Sequence, residues 1–407
     1  MEFINHTPFP ALAFGGIDQH DQAFHVLVLR QTLSFESGTL LLADEQAPLC
    51  EVDEYFGEMH VTGVRQESDL CQYKPKCDVI VNATAYAPGG QATARIPVAV
   101  NIKDSKRRTL LEKHLTVTGP RHWEKKRTHW TLSEPQPITS LTLRDDVAYG
   151  GELRVYADEP AAERIRPEQH LTAEQRAHHP DPPNLPVVHT VFEANPLGLG
   201  YVEPWMIDAL ALKRVAAPQL ESPSDPLTPF STYYTPHRLG VRPKAHPDRR
   251  KLSGTISTAF IQGDTWLPGE FDFAVWNAAP PDQQIDFLRG DEVIELTNLC
   301  APNAAGSVQD AVGNTVLRLT LPGHRPFALI RFEEGMLLEH AAQLDTLIID
   351  PDRQQITCVW RAIVGVEPEV RVLEARMLQK SDIADLTATA TPKEYVATRT
   401  AGTTHGG

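Results

Sequence analysis

The chain has 407 residues, of which 41% are hydrophobic, and its 53 acidic and 38 basic residues give a formal net charge of −15. This length and apolar content allow one large domain, or two to three small ones, with a substantial core, whereas the acidic balance argues against binding to nucleic acid or to an anionic membrane. Five cysteines without a C-x-x-C pair favour a reducing compartment. We expect no signal peptide and no membrane insertion, because the N-terminus has no basic and apolar leader and no run reaches the length of a membrane span. The sequence therefore predicts a cytoplasmic protein.

Alternation of apolar and polar residues predicts a mainly β chain. Residues 24–31 are partly apolar on both faces, which indicates a central strand. Further strands are predicted at 39–43, 79–86, 94–102, 109–118, 138–144, 152–157, 270–276, 292–299, 314–321, 345–349 and 354–364. The Asp-Pro-Asp-Arg sequence at 350–353 predicts a hairpin turn between the last two. Short strands with this Gly and Pro punctuation predict a large antiparallel sandwich or a barrel-like β body.

Few helices are predicted, and all of them are short. Residues 280–290 begin with two prolines and close on a glycine, which is the punctuation of a short helix. Residues 203–215 have one apolar side and predict a second helix, and residues 171–178 predict a helical turn.

The composition divides the chain into four parts. Residues 1–158 form an N-terminal β-rich part, residues 159–250 an irregular connecting region rich in Pro and His, residues 251–379 a C-terminal β-rich part, and residues 380–407 a tail that is expected to be flexible. A long irregular region is typically a functional loop, an interaction surface or a linker. Its aromatic residues predict that it packs on the β core, and the stretch 159–247 is our candidate for the recognition part.

The most informative segment runs from residue 67 to residue 90. A Lys74-Pro75 turn leads into an apolar strand at 79–81, and Pro88-Gly89-Gly90 forms the turn that ends the unit. Lys74 and Lys76 beside Asp69 and Asp78 predict a local ion-pair clamp, and the alternative is that these charges dock a partner's strand or carboxylate. Cys71 and Cys77 are expected in the core.

This segment resembles the signature of the adaptor or chaperone proteins of bacterial type VI secretion, a family catalogued as a domain of unknown function. Similar segments occur in the family's order, at 53–57 before the signature and at 195–201, 267–273, 276–284, 290–292, 344–346 and 359–362 after it, so the resemblance covers most of residues 10–365. The chain departs from the family pattern at 237–240 and 254–257. The resemblance implies a structural or partner-binding role for Asp69, Lys74, Pro75, Asp78, Tyr86, Pro88, Gly89, Asn195, Pro196, Gly198, Trp276, Gln283, Gln284, Asp345, Trp360 and Arg361.

By this resemblance, the chain is expected to be a non-enzymatic adaptor or chaperone with no cofactor. It would bind a toxic effector in the cytoplasm and help to load that effector onto the secretion spike, whose parts include VgrG and PAAR proteins. Binding of this kind calls for a broad groove or an exposed sheet edge.

No catalytic or metal-binding motif competes with this interpretation. The chain has no G-x-S-x-G, no Walker motif and no H-E-x-x-H. None of the candidate histidine pairs, 122/129, 178/179 and 20/25, has a metal-binding spacing, and His178 and His179 are expected to have surface or loop roles. The acid pairs 145–146 and 291–292 are expected to be surface acids, and Trp266 and Trp276 are expected to pack in the core. Two alternatives stay open, which are a β-scaffold enzyme that acts on carbohydrate or peptidoglycan and a structural component of the secretion spike or baseplate.

Overall fold

A computed structural model describes residues 1–59, 61–228, 230 and 233–378, and in it the chain is mainly β, as predicted. The strands are β1 (Glu2–Asn5), β2 (Ala11–Ile17), β3 (Ala23–Ser34), β4 (Leu41–Leu42), β5 (Glu54–Tyr55), β6 (Val64–Gln66), β7 (Cys77–Val81), β8 (Thr84–Tyr86), β9 (Arg95–Lys103), β10 (Thr109–Thr118), β11 (Arg121–Lys125), β12 (Trp130–Leu132), β13 (Ser140–Thr142), β14 (Tyr149–Gly150), β15 (Glu152–Val155), β16 (Val188–Val191), β17 (Leu199–Gly200), β18 (Arg214–Ala217), β19 (Leu220–Glu221), β20 (Gln284–Ile285), β21 (Val293–Thr297), β22 (Ser307–Gln309), β23 (Thr315–Thr320), β24 (Arg325–Phe332), β25 (Leu337–Ala341), β26 (Gln343–Asp350), β27 (Gln355–Gly365) and β28 (Val370–Leu378).

The helices of the described residues are short. The α-helices are α1 (Ala173–Ala177), α2 (Pro204–Ala209), α3 (Pro247–Leu252) and α4 (Thr258–Gln262). Single 3-10 turns lie at Pro88–Gly90, Asp145–Val147, Ala162–Arg164, Pro167–Gln169, Pro182–Asn184, Phe273–Trp276, Pro281–Gln283 and Pro351–Arg353. In this part of the chain, no helix combines the length and the apolarity needed to cross a membrane. The predicted tail at 380–407 lies outside the described residues.

Three open sheets form most of the body. A sheet of seven strands has the order β2-β3-β27-β26-β7-β20, with β4 paired to β3. A sheet of six strands has the order β19-β10-β9-β21-β23-β22, and a sheet of four strands has the order β1-β28-β24-β25. Strands from the N-terminal and C-terminal parts pair with each other in all three, so backbone hydrogen bonds join the two parts of the chain.

One apolar core lies under the two larger sheets. Leu27 and Leu29 of β3, Val79 of β7, Val100 of β9 and Leu296 of β21 are all buried in it. The strand predicted at 24–31 is central, with β2 on one side and β27 on the other. Its residues are buried on both faces, which explains why the sequence there is apolar on both faces.

The irregular region carries a core of its own. Phe192 and Tyr234 from that region are buried against Trp123 of β11 and Tyr149 of β14. Trp123 stacks on Tyr234 with ring centroids 5.6 Å apart, and its indole nitrogen donates to the carbonyl of Thr228. The region is therefore attached to the β body through aromatic packing.

Two predicted elements between residues 270 and 290 are wrong. Residues 273–276 form a 3-10 turn where a strand was predicted, because the Asp272 carboxylate accepts from the amide of Ala274 and starts a helical turn. The helix predicted at 280–290 is a 3-10 turn followed by β20, because Gln284 pairs with Asp78 at the edge of the seven-stranded sheet. In both cases hydrogen bonds to distant or flanking residues override the local pattern.

Other predictions need smaller corrections. The helix predicted at 203–215 ends at Ala209, and its last residues form β18. The strand predicted at 79–86 is divided into β7 and β8, which lie in different sheets. The strand predicted at 39–43 is reduced to the two residues of β4.

Candidate functional site

The segment at 67–90 is centred on a buried ion pair. The Lys74 ammonium donates to Asp78 Oδ2 and to Thr346 Oγ1, both at 2.8 Å. Burial by itself lowers the pKa of Lys74, but the electrostatic interactions with Asp78, Cys71 and Asp345 and the hydrogen bond to Asp78 together outweigh burial and hold the pKa above its ordinary value. Lys74 therefore keeps its charge inside the protein, where it depends on the carboxylate of Asp78 as its partner.

Asp78 also fixes a distant backbone segment. Its carboxylate accepts from the amides of Ala278 at 2.8 Å and Ala279 at 3.2 Å, and from the side-chain nitrogen of Asn277 at 3.1 Å. Gln283 extends this connection, because its side-chain nitrogen donates to the carbonyl of Val79 at 2.7 Å. The segment at 67–90 is thereby attached to residues 277–283.

A second buried ion pair lies beside the first. Arg361 Nε donates to Asp345 Oδ2 at 2.6 Å, and the guanidinium also donates to the carbonyls of Cys71 and Asp69. Burial lowers the pKa of Arg361, but Asp345, Cys71 and Asp69 together more than compensate and raise it. The small cavity between the two pairs has a volume of about 10 Å³, which is room for about one water molecule.

The predicted ion-pair clamp is correct only for Lys74 and Asp78. Asp69 instead pairs with Arg30 at 2.8 Å and accepts from the amide of Cys50, and Lys76 is exposed. Arg30 lies in the middle of β3, so the sequence near the signature gave no sign of it. The available signal was an arginine within an otherwise apolar strand, because a charged side chain that is buried there needs a partner of opposite charge.

Cys71 and Cys77 are buried, as predicted. Burial raises the pKa of both thiols, so neither is poised to form a thiolate. Among the described residues, no group of three or more His, Cys, Asp or Glu side chains is placed to hold a metal ion.

The other matched residues support turns and packing. Asn195 donates to the carbonyls of Asp145 and Tyr149, and a side chain on Gly198 would collide with Asn195, which explains the glycine. The amide of Gly89 donates to the carbonyl of Gly313, and the indole of Trp360 donates to Gln31 in the core. The remaining matched residues lie in nearby turns and strands, and they are Pro75, Tyr86, Pro88, Pro196, Trp276 and Gln284.

One residue of each acid pair is not the surface acid that the composition predicted, whereas Asp146 is exposed as expected. Glu292 is buried and accepts from the amides of Arg289 and Gly290, which it holds in a turn. Asp145 lies 3.5 Å from Arg238 and is largely shielded from solvent. Both side chains have local structural partners.

Arg249 provides a further connection that the sequence did not reveal. Its side chain is fully buried, pairs with Glu67 at 2.7 Å and donates to the carbonyl of Val275. Arg249 stands in an Asp-Arg-Arg-Lys run, where the buried arginine looks like its exposed neighbours. Together, Glu67 and Asp78 hold the chain from residue 275 to residue 279.

The segment that precedes residue 275 lines an open groove. This groove, which we call the 257–272 groove, has a volume of about 460 Å³ and is lined by Gln19, Asp21, Ser257, Thr265 and residues 267–272. The volume is in the range of binding clefts for small ligands and short segments. Residues 267–272 belong to the stretch 267–273, one of the segments that carry the resemblance described above, and this stretch lies at the surface.

Local bonds give the groove a defined shape. Thr255 and Gly269 exchange backbone hydrogen bonds of 2.8 and 3.1 Å, and a side chain on Gly254 would collide with the carbonyl of Gly269. Gln19 donates to the carbonyl of Phe271 at 2.6 Å, which joins the β2–β3 turn to the far wall. Glu270 has a left-handed backbone (φ +60°), a conformation that non-glycine residues adopt rarely and often near functional sites.

Aromatic contacts connect the groove to the buried network. Phe271 packs edge-on against Phe273 at 5.3 Å, and Phe273 packs edge-on against Tyr73 at 5.7 Å. Tyr73 directly precedes Lys74. The signature and the groove are thus two ends of one packed assembly.

Two accessible apolar surfaces stand out. Near the groove, Trp266 is 70% exposed, Ile261 is 73% exposed and Ile256 is 68% exposed, so the predicted core position of Trp266 is wrong. The other surface is β25, an edge strand whose Leu337 and Leu338 are exposed. Exposed apolar clusters and free sheet edges are both typical of interaction sites.

A pH dependence of stability follows from His246, which begins α3. Its Nδ1 accepts from the amide of Asp248, and burial together with Arg242, Arg238 and Arg249 lowers its pKa to about 4, against the opposing charge of Asp248. The unfolded chain therefore binds more protons between pH 4 and the ordinary pKa of His. The contribution of neutral His246 to the free energy of unfolding is complete above about pH 6.5 and is lost as the pH falls towards 4.

We expect the urea midpoint to fall between pH 7 and pH 5, and to fall less in His246→Asn. Asparagine keeps a capping acceptor at this position but does not titrate. Equal pH dependence in the two proteins would show that His246 does not contribute.

A comparison with protein-family models finds one that matches residues 20–361 and is described as an uncharacterized protein conserved in bacteria (DUF2169). No curated protein and no solved structure matches the chain.

Proposed function

The chain belongs to the bacterial family DUF2169, and from this premise we propose that it is a non-enzymatic adaptor that binds a type VI secretion effector in the cytoplasm and helps to load it onto the VgrG and PAAR spike. The resemblance of residues 67–90 and of the later segments to adaptor or chaperone proteins supports this assignment.

One observation carries the proposal. The matched segments divide into buried residues, such as Lys74, Asp78 and Arg361, and an accessible stretch at 267–272 that lines a groove. The buried residues fix the backbone that follows this stretch, through Asp78 at 277–279 and Arg249 at Val275. This arrangement is suited to presenting a fixed surface to a partner.

An adaptor must shield the effector and later release it to the spike protein. It must cover apolar effector surface that would otherwise aggregate, and its own exposed apolar residues serve that purpose. Release to a spike protein requires moderate affinity, which a short groove and a short sheet edge provide better than a large obligate interface.

The test is a mild affinity purification of the tagged protein from its native host, followed by mass spectrometry and a count of each chain. We expect one large toxin-like polypeptide and a spike protein in near-stoichiometric amounts. A parallel sample from the culture medium separates the spike alternative, because a spike or baseplate component leaves the cell with the apparatus.

Recovery of the protein alone, repeated at low salt, would count against the adaptor function. Turnover of a polysaccharide or peptidoglycan substrate, lost on replacement of a carboxylate, would favour the enzyme alternative instead.

A further inference from the structure

We propose that the 257–272 groove binds a short apolar segment of a partner protein that places an arginine or lysine beside Glu270. This inference rests on the proposed adaptor function and adds to it a surface and the chemistry of its partner.

The charge of the groove selects a basic partner. None of the residues that line it is basic, whereas Asp21, Glu270 and Asp272 contribute carboxylates. The sequence has no lysine or arginine from residue 252 to residue 288, so no basic residue of this stretch neutralises them. A bound cation would therefore meet a field of one sign.

Glu270 is the carboxylate that remains available. Asp21 accepts from the amide of Trp266 at 3.2 Å, and Asp272 accepts from the amide of Ala274 at 2.8 Å. Glu270 is exposed, and it has no ion pair or hydrogen bond to another side chain among the described residues. Its left-handed backbone is held on both sides, by the Thr255–Gly269 bonds and by the bond from Gln19 to Phe271. A guanidinium can bind such a carboxylate through two hydrogen bonds.

The apolar part of the partner has its own anchors. Leu267, Pro268 and Phe271 line the groove, and Trp266 stands between two lining residues with most of its surface exposed. Tryptophan is among the residues that most often dominate the energy of an interface. An exposed tryptophan beside an apolar cleft and an unpaired carboxylate fits a segment of alternating apolar and basic residues.

The direct test uses two fluorescein-labelled peptides, GSLRLRLSG and GSLELELSG, titrated with the full-length protein while fluorescence anisotropy is measured. We expect the arginine peptide to bind at least about tenfold more tightly than the glutamate peptide. Glu270→Gln should weaken binding of the arginine peptide about two- to fivefold, as for an exposed ion pair. Trp266→Ala should weaken it about thirtyfold.

Two variants make the test specific. Glu333→Gln removes an exposed acid from the β24–β25 turn and should change nothing. Glu270→Lys should reverse the preference of the groove towards the glutamate peptide, a gain that unfolding cannot produce. Equal binding of the two peptides, no binding of either, or full affinity in Trp266→Ala and Glu270→Gln would overturn the inference.

The same variants in the native-host purification separate this inference from the adaptor function. Loss of the partner in Trp266→Ala and Glu270→Lys supports both the groove assignment and the adaptor function. If the partner is retained in both variants, the groove assignment fails and the adaptor function stands. If the arginine peptide binds but no partner is recovered, the adaptor function fails and the groove stands. Sedimentation that shows a wild-type dimer dissociated by these variants would identify a second copy of the chain as the occupant, which also overturns the inference.

Discussion

Replacement of Asp78 by alanine is expected to lower the free energy of unfolding by about 3–5 kcal/mol, the usual cost of leaving a buried charge without its partner. The change strands the Lys74 ammonium in the core and removes the acceptor for the amides of Ala278 and Ala279. Urea denaturation followed by circular dichroism measures the loss. We also expect weaker binding at the 257–272 groove, because the backbone that follows the groove loses its anchor.

A matched control is Glu193→Gln, which breaks the pair with Arg250, whose two side chains are mostly exposed. That change should cost less than about 1 kcal/mol. The double replacement Lys74→Met with Asp78→Leu removes both charges and should recover much of the lost stability. If Asp78→Ala were no more harmful than Glu193→Gln, the buried pair could not be what fixes residues 277–279.

Trp123→Ala is expected to lower the free energy of unfolding by about 3–5 kcal/mol, because removal of a fully buried tryptophan leaves a large cavity. Trp123 contacts Phe230 and Tyr234 of the irregular region through its ring and Thr228 through its indole nitrogen. We expect the loss to appear first as detachment of that region, seen as new cleavage sites between residues 159 and 247 in limited proteolysis.

The comparison for this prediction is Trp266→Ala, which removes the same side chain from the surface and should change stability by less than about 0.5 kcal/mol. Unchanged proteolysis of Trp123→Ala would mean that the irregular region is held by its other contacts. Effector binding by the Trp123→Ala protein would then also be unaffected.

The sequence predicted those strands whose own pattern of apolar and polar residues was enough to identify them. Strands β9, β10 and β27 appear within one residue of their predicted bounds. Strand β24 was missed because Phe327 and Leu329 alternate with Ala328 and Ile330, which leaves both faces apolar, and because Pro326 signals an end. The errors at 270–290 have other causes: the hydrogen bond from Ala274 to Asp272 starts the turn at 273–276, and pairing with β7 makes residues 284–285 a strand.

The site was predictable in its residues but not in its arrangement. The resemblance identified Asp69, Lys74, Asp78, Asp345 and Arg361, and all five are in the buried network. Two further arginines of the network, Arg30 and Arg249, lie far from the signature in the chain. Arg30 could be recognised by its place in an apolar strand, whereas nothing in the local sequence distinguishes Arg249 from its exposed neighbours. The groove could not be predicted either, because it depends on how the β2–β3 turn meets the 257–272 segment.

The pairing of β3 with β27 has a consequence for synthesis. Gln31 of β3 bonds to Trp360 of β27, which lies 329 positions later in the chain. The ribosome must therefore synthesise most of the chain before β3 can pair with β27. Until then, one edge of the apolar strand β3 stays unpaired. Such long-range pairing folds slowly. A chain truncated before residue 355 would lack β27 and, with it, the centre of its largest sheet.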